Sequence, residues 1–396
     1  MERKLTLICV QPCIPYYAWQ IEVMLKNFQE LEIQKNYSVQ LLFAYNKNEN
    51  GWEENVEWIK KVERAYNDVA EFFYYEDTRV YPITYISGIR PNLLKQHLNI
   101  YPEVGKSPIF YHDCDIVFTK YPDFLQNLLA DDNTWYVSDT MSYIGYEYIL
   151  SKGQDVLNKM CEIVGIQPEF IKERQIQSGG AQYLMKGVDW MFFEKMEKDC
   201  ERMFKEITEL NNIKKQENPS YHELQIWTSD MWCILWNAWL KGYETKIIPE
   251  MDFCWATDPI EKWNEKYIFH NAGVTHEIRE TVFYKADFRS KLPYLENGIK
   301  YNQEKASINY FRKIRDIGAD SCLYLSKSNA IVEKYGVGRT QEQLKIAKTR
   351  VDTCLICENF TKNTNNDYLC KKCGCSTKAK IFSPNANECP EQKWKK

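Results

Sequence analysis

The sequence predicts an α/β protein: a mainly parallel, doubly wound sheet flanked by helices, followed by a small cysteine-rich tail. Three observations carry this. Short apolar, β-rich runs alternate with helix-like segments through the first part of the chain, the pattern of parallel strands joined by helical crossovers. The chain has 396 residues, 44% of them hydrophobic, enough for a large core. The stretch 351–396 is polar, rich in cysteine and without helical or strand period.

The elements run in order along the chain. KLTLICV (4–10) is short, apolar and β-rich, a buried first strand. Residues 17–35 read as a helix and SVQLLFAY (38–45) as a strand. A Trp- and Glu-rich helix at 52–70 precedes a strand, EFFYYED (71–77). Residues 91–100 read as helix and PIFYH (108–112) as the fourth strand, which runs into Asp113-Cys114-Asp115. TWYVSD (134–139) is a further strand. IQSGGAQYLMKG (176–187) holds a glycine pair ahead of a strand-like run. Helices are expected at 189–210 and 222–241, and strands at 243–250 and 266–274. Beyond 300 the pattern is helical and charged, with QEQLKIAKTR (341–350) a solvated linker helix. The expected domains are 1–300, a helical linker 301–350, and 351–396.

Charge and composition narrow the function. The formal net charge is −4, so the whole chain is no obvious polyanion binder. It is uneven: 340–396 carries 11 Lys+Arg against 6 Asp+Glu, leaving an acidic body. The start, MERKLTLICV, lacks the long apolar core of an export signal, and Pro12 and Pro15 interrupt the residues behind it. No apolar run reaches the ~18 residues that a membrane span needs. Eight of the 14 cysteines are scattered and six lie in 354–389. Without an export signal the scattered thiols read as reduced core residues. A cytoplasmic protein is expected, in the host cytoplasm if the gene is a phage's. Of the 12 Trp and 27 Tyr, most are assigned to core.

Asp113 and Asp115 stand between two apolar stretches. Carboxylates so placed need a neutralising partner. A divalent cation removes their mutual repulsion and keeps both ionised. Strand ends are also where ligands bind in open α/β sheets. A capping pair or a calcium-stabilised loop is the plainer alternative. A phosphohydrolase of the haloacid-dehalogenase type uses the same spacing with a nucleophilic first Asp (here Asp113), but after its first strand rather than its fourth.

With HDCDIVF, IQSGGAQYL, WTSDMWCILW and IFHNAGV in this order, residues 1–290 resemble the GT-A class of nucleotide-sugar glycosyltransferases. Within it they loosely resemble the hydroxyproline arabinosyl- and galactosyltransferases. The resemblance implies a role for each candidate residue. Asp115 binds a divalent metal directly, Asp113 through water or by way of the donor ribose, and His270 completes the shell. Hard oxygen ligands with one imidazole favour Mn²⁺ or Mg²⁺. Ser178, Gly179 and Gly180 let the backbone approach the donor sugar, and Gln177 and Gln182 bond its hydroxyls. Arg90 and Lys95 meet the diphosphate. Gln11 and Pro12, with Tyr16 or Tyr17, border the base, and Asp139 touches the sugar. Asp230, an acid within a Trp-rich helix, is the general base if the enzyme inverts.

Cys354-X2-Cys357, twelve residues, then Cys370-X2-Cys373 is the spacing of a structural zinc ribbon. Cys375 and Cys389 are surplus. The run CKKCGC…CPEQKW resembles ribbon tails of tailed-phage proteins. The function expected is transfer of a sugar, with a UDP-sugar favoured, to a hydroxyl. The acceptor is a hydroxymethylated base in phage DNA, a protein or a glycan, and a basic tail suits DNA phosphates. The rival from another class is a non-catalytic fold serving a zinc ribbon that binds nucleic acid or a partner.

Overall fold

The computed structural model describes residues 5–394 except 81–82, 130–132, 295, 297, 364–366 and 385–388. Lys4, the first residue of the expected opening strand, lies outside the described residues. The chain divides into two compact units, residues 1–289 with 301–311, and residues 290–300 with 312–396.

The first unit is the predicted α/β layer structure. Its strands are β1 (Thr6–Pro12), β2 (Ser38–Tyr45), β3 (Glu71–Glu76), β4 (Ile109–His112), β5 (Ile116–Phe118), β6 (Thr134–Asp139), β7 (Gly179–Met185), β8 (Glu244–Ile247), β9 (Phe253–Trp255) and β10 (Ile268–His270). Among the described residues seven of them form one sheet in the order β3-β2-β1-β4-β7-β6-β8. Only β7 runs against the rest, antiparallel to both β4 and β6. Thr6 to Val10 of β1 are all buried, and β1 lies between β2 and β4. A parallel strand covered on both faces must be apolar throughout, which is why TLICV reads as a run. β3, at the edge, is only half-buried over most of its length.

Helix α1 (Pro15–Glu30) starts with Pro at its first turn, where the missing N–H costs nothing. It ends earlier than the expected residue 35, because Glu32 takes a left-handed backbone, φ 56°, ahead of a short turn. Helices α2 (Trp52–Tyr66) and α3 (Ile89–Ile100) come next. The helix expected at 189–210 runs as Trp190–Glu217, capped by Asp189, whose carboxylate accepts from the Phe192 N–H at 2.8 Å. The helix expected from residue 222 starts only at Ser229, after a short turn Ile226–Thr228, and ends at Leu240.

A second sheet, β5-β10-β9, was not foreseen. Its strands have three residues each, too short to show a period. The expected strand 266–274 stops at His270: the Asn271 N–H bonds the Asp115 carbonyl at 2.9 Å, and Gly273 then turns the chain at φ 79°. The buried Asn27 of α1 pairs with Phe118 of β5 like a neighbouring strand. Its Nδ2 donates to the Phe118 carbonyl at 3.0 Å and its Oδ1 accepts the Phe118 N–H at 2.8 Å. Phe28 stacks on Phe118, ring centroids 5.3 Å apart. The Asp113–Asp115 turn is thereby held from both sides.

In the second unit the helices Cys322–Tyr335 and Gln341–Leu355 share a core with the tail. Ile331, Val332, Tyr335, Ala347 and Val351 pack with Ile381 and Trp394. The expected linker helix starts with a Thr340/Gln343 capping box and runs on to Leu355, so Cys354 lies in its last turn. Strands Phe360–Lys362 and Tyr368–Cys370 form a hairpin. Arg350 donates to the carbonyls of Ile381 and Ser383, at 3.2 and 2.5 Å, and lies over the Trp394 ring. Among the described residues no helix is long and apolar enough to cross a membrane.

Candidate active site

β4 ends at His112 and β5 starts at Ile116, leaving Asp113, Cys114 and Asp115 as the turn between the two sheets. Register does the rest: Ile116 pairs with His270, so the last residue of β10 stands over the turn. His270 Nε2 lies 3.5 Å from Asp113 Oδ2 and 3.4 Å from Asp115 Oδ1. Among the described residues these three are the only group of three or more His, Cys, Asp or Glu whose ligand atoms converge within 4.8 Å. Two carboxylates and one imidazole are a donor set for a hard or borderline divalent cation.

Cations neutralise the acids. Asp115 is buried, and Lys285 forms an ion pair with its Oδ2. Burial alone would raise the Asp115 carboxyl, but the Lys285 charge outweighs it and holds the group below the usual carboxylate range. The Arg90 guanidinium bridges two acids, reaching Asp113 Oδ1 at 2.5 Å and Asp230 Oδ2 at 2.7 Å. Burial would lower Arg90, but the Asp113 and Asp230 charges keep it firmly protonated. The other Asp230 oxygen accepts from the Tyr85 hydroxyl at 2.9 Å. Burial, then the Asp230 charge, pushes the Tyr85 phenol well up, so it remains a donor.

Apart from Tyr85, these groups line a cleft of about 710 Å³, within the range of small-molecule sites, about 300–1,000 Å³. Of the residues singled out in the sequence, Gln11, Tyr16, Tyr17, Arg90, Asp113, Asp115, Asp230 and His270 line it. The others do not. Lys95 pairs with Glu197. Asp139 accepts from the Met141 N–H at 3.1 Å. The Gln177 backbone carbonyl accepts from Thr245 while its buried side-chain Oε1 has no partner, and the buried Ser178 hydroxyl donates to the Arg174 carbonyl at 3.4 Å. A Cβ on Gly179 would lie 2.4 Å from Val137 and 2.5 Å from the Ser138 carbonyl, and one on Gly180 would lie 2.4 Å from the Tyr183 hydroxyl. Close strand packing therefore accounts for Gly179, whereas Gly180 leaves room for the cleft-lining side chains of Tyr183 and Met231. Gln182 does not line the cleft but stands behind the lining residue His270, the amide atom placed as Nε2 lying 3.2 Å from His270 Nδ1.

Sequence reasoning did not select Lys285, Tyr85, Asn271, Tyr111, Tyr143, Trp227 or Trp255, all of which except Tyr85 line the cleft. Nothing in the spacing of Lys285 marks it. Asn271 comes directly after His270 and is 2% exposed, yet neither atom of its side-chain amide has a partner. A buried amide left unpaired at the wall of a cleft calls for a polar ligand.

In the second unit, Cys354, Cys357, Cys370, Cys375 and Cys389 line a cavity of about 30 Å³. Burial, and then the neighbouring thiols Cys389, Cys357 and Cys370, push the Cys354 thiol up to about 12. Cys373 is turned instead toward Lys380, whose Nζ is 3.0 Å from its sulfur.

No family model and no curated protein matches the chain. Solved structures do. The bifunctional glycosyltransferase WbbM, in its apo form, is similar over 82% of this chain and 52% of its own, at 10% identity and TM-score 0.43. The galactosyltransferase LgtC, solved with donor and acceptor sugar analogues, is similar over 79% of this chain and 95% of its own, at 11% identity and TM-score 0.36. An active-site mutant of LgtC is similar over 78% and 94%, at 11% identity and TM-score 0.37. This chain's match spans about half the length of WbbM.

Proposed function

We propose that the protein is a metal-dependent glycosyltransferase that moves a sugar from a nucleotide-sugar donor to a hydroxyl acceptor. The observation that carries this is the convergence of Asp113, Asp115 and His270 at the carboxyl end of β4, on the wall of a cleft. The donor set fits a divalent cation such as Mn²⁺ or Mg²⁺, and the unpaired Asn271 amide beside it suits a polar ligand. A divalent ion held by these residues would stabilise the negative charge that develops on a diphosphate leaving group.

The chain's own side chains supply the rest. Lys285 and Arg90 put two positive charges at the acids' edge, where a diphosphate carries its charge. Tyr16 and Tyr17 offer ring surface to a base. Asp230 is the candidate base for the acceptor hydroxyl in an inverting reaction. In the resting site it holds Arg90 against Asp113, so as a base it acts through a lone pair that its two partners leave free. A UDP-sugar is the favoured donor. The acceptor hydroxyl belongs to a glycan, a protein or a modified base of phage DNA.

The cysteine-lined cavity of the second unit suits a structural zinc ion: Cys354, Cys357 and Cys370 line it, and Cys373, the fourth ligand that the spacing proposes, would have to turn in from its contact with Lys380. Purified protein should carry one zinc per chain by elemental analysis, and Cys370→Ser should lose it. Zinc-free protein of undiminished stability would remove the ribbon reading.

The test of the activity is direct. The protein is incubated with Mn²⁺ and a panel of UDP-, GDP- and ADP-sugars, and released nucleotide is measured, with Asp115→Ala as control. Release from one donor, lost in the control, supports the proposal and names the sugar. No release and no calorimetric donor binding would reject it in favour of a binding role.

A further inference from the structure

The Gln182 side chain has two neighbours that together decide its orientation. Ser138 Oγ lies 2.7 Å from the amide atom placed as Gln182 Oε1 and 2.5 Å from the Met251 carbonyl oxygen. The atom placed as Nε2 lies 3.2 Å from His270 Nδ1. All three side chains are buried, Ser138 and Gln182 completely.

A serine hydroxyl has one proton, and a backbone carbonyl can only accept. The Ser138 proton therefore goes to Met251. Its contact with Gln182 then needs a proton from the other side, and only the amide NH2 can give it. The proton count thus exchanges the placed Oε1 and Nε2, atoms of nearly equal size, and sets the Gln182 carbonyl oxygen toward His270, where it accepts from Nδ1–H. His270 Nε2 is left with a bare lone pair, and it is this nitrogen that faces Asp113 and Asp115.

We infer that Gln182, oriented by Ser138 and Met251, is a positioning residue that locks neutral His270 in the Nδ1–H tautomer, so that Nε2 is ready to bind a cation. The inference rests on the metal-site reading above. The backbone is shaped for this task. Ser138 pairs with Gly180 and Val137 with Tyr183, so β7 bulges between those pairs at Ala181 and Gln182. Ala181 stands at φ 67°, a left-handed conformation costly for a residue with a Cβ. The strain falls one residue from the side chain that reaches the imidazole, where a fold keeps strain for function. A metal-bound histidine needs such an acceptor on its second nitrogen to fix ring and tautomer.

The chain has five histidines, so the tautomer can be read directly. Full-length protein labelled with ¹⁵N-histidine is studied by NMR without metal at alkaline pH, with His270→Ala to assign the signal. Nδ1 protonated and Nε2 bare is expected; Nε2 protonated overturns the inference. Mn²⁺ affinity is then measured by calorimetry. Gln182→Leu should weaken it ~10–100-fold. Gln182→Glu, which can still accept from Nδ1–H, should stay within a few-fold of the parent protein. Equal losses in both variants would also overturn the inference. Absence of Mn²⁺ binding in the parent protein, with the tautomer as expected, would reject the metal reading alone.

Discussion

Lys285 stands where a cation would neutralise Asp115, so its removal should tighten metal binding. In the resting site Lys285 pairs with Asp115 Oδ2, while the Asp115 side chain is 5% exposed and that of Lys285 30%. A divalent ion that takes this oxygen must first displace the ammonium. A charge-assisted contact is worth about 1.5–3 kcal/mol net, and partial exposure favours the lower half of that range, about 1.5–2 kcal/mol. At about 1.4 kcal/mol per tenfold, Lys285→Met should bind Mn²⁺ ~10–30-fold more tightly. The metal-free variant should melt lower, because burial would then push the Asp115 carboxyl up without its main counter-charge. Lys285→Arg, which keeps the charge, should resemble the parent protein. Calorimetric titration of Mn²⁺, paired with melting curves with and without the ion, gives both quantities. Unchanged or weaker Mn²⁺ binding in Lys285→Met would refute the competition argument.

The same geometry sets other outcomes. Asp230→Asn should leave donor affinity within a few-fold and cut transfer at least ~100-fold if this carboxylate is the base; normal turnover would exclude it. Asn27→Leu strips both backbone partners from Phe118 and should cost about 2–4 kcal/mol in urea unfolding; a loss below about 1 kcal/mol would show that β5 does not depend on that clamp. His97 is fully buried between the Tyr75 hydroxyl and Gln40, and burial lowers it to about 4. Unfolded, it takes up its proton near 6.5, so its contribution is complete above that pH and is lost as pH falls toward 4. The urea midpoint should therefore drop across that window in the parent protein and less steeply in His97→Gln; parallel profiles would refute this.

Much of the first unit was legible because burial writes itself locally. β1, β2 and β4 are covered on both faces and show as apolar runs. Asp113 and Asp115 stood out because acids ending such a run need a partner. The tail's paired cysteines stood out by spacing alone. The three-residue strands β5 and β9 carried no readable period, and β10 fell within an expected strand whose pairing with β5, on which the site depends, was not readable. Only the pairing of Ile116 with His270, residues far apart in the chain, sets an imidazole over the carboxylates. Only the packed fold shows that Arg90 ties Asp113 to Asp230, that Lys285 covers Asp115, and that Gly179 is small because neighbouring strands crowd it. Residue types and their periods thus determined which strands are buried and which side chains can bind metal. Which of those side chains meet was decided by sheet register and chain closure, long-range properties that no local pattern encodes.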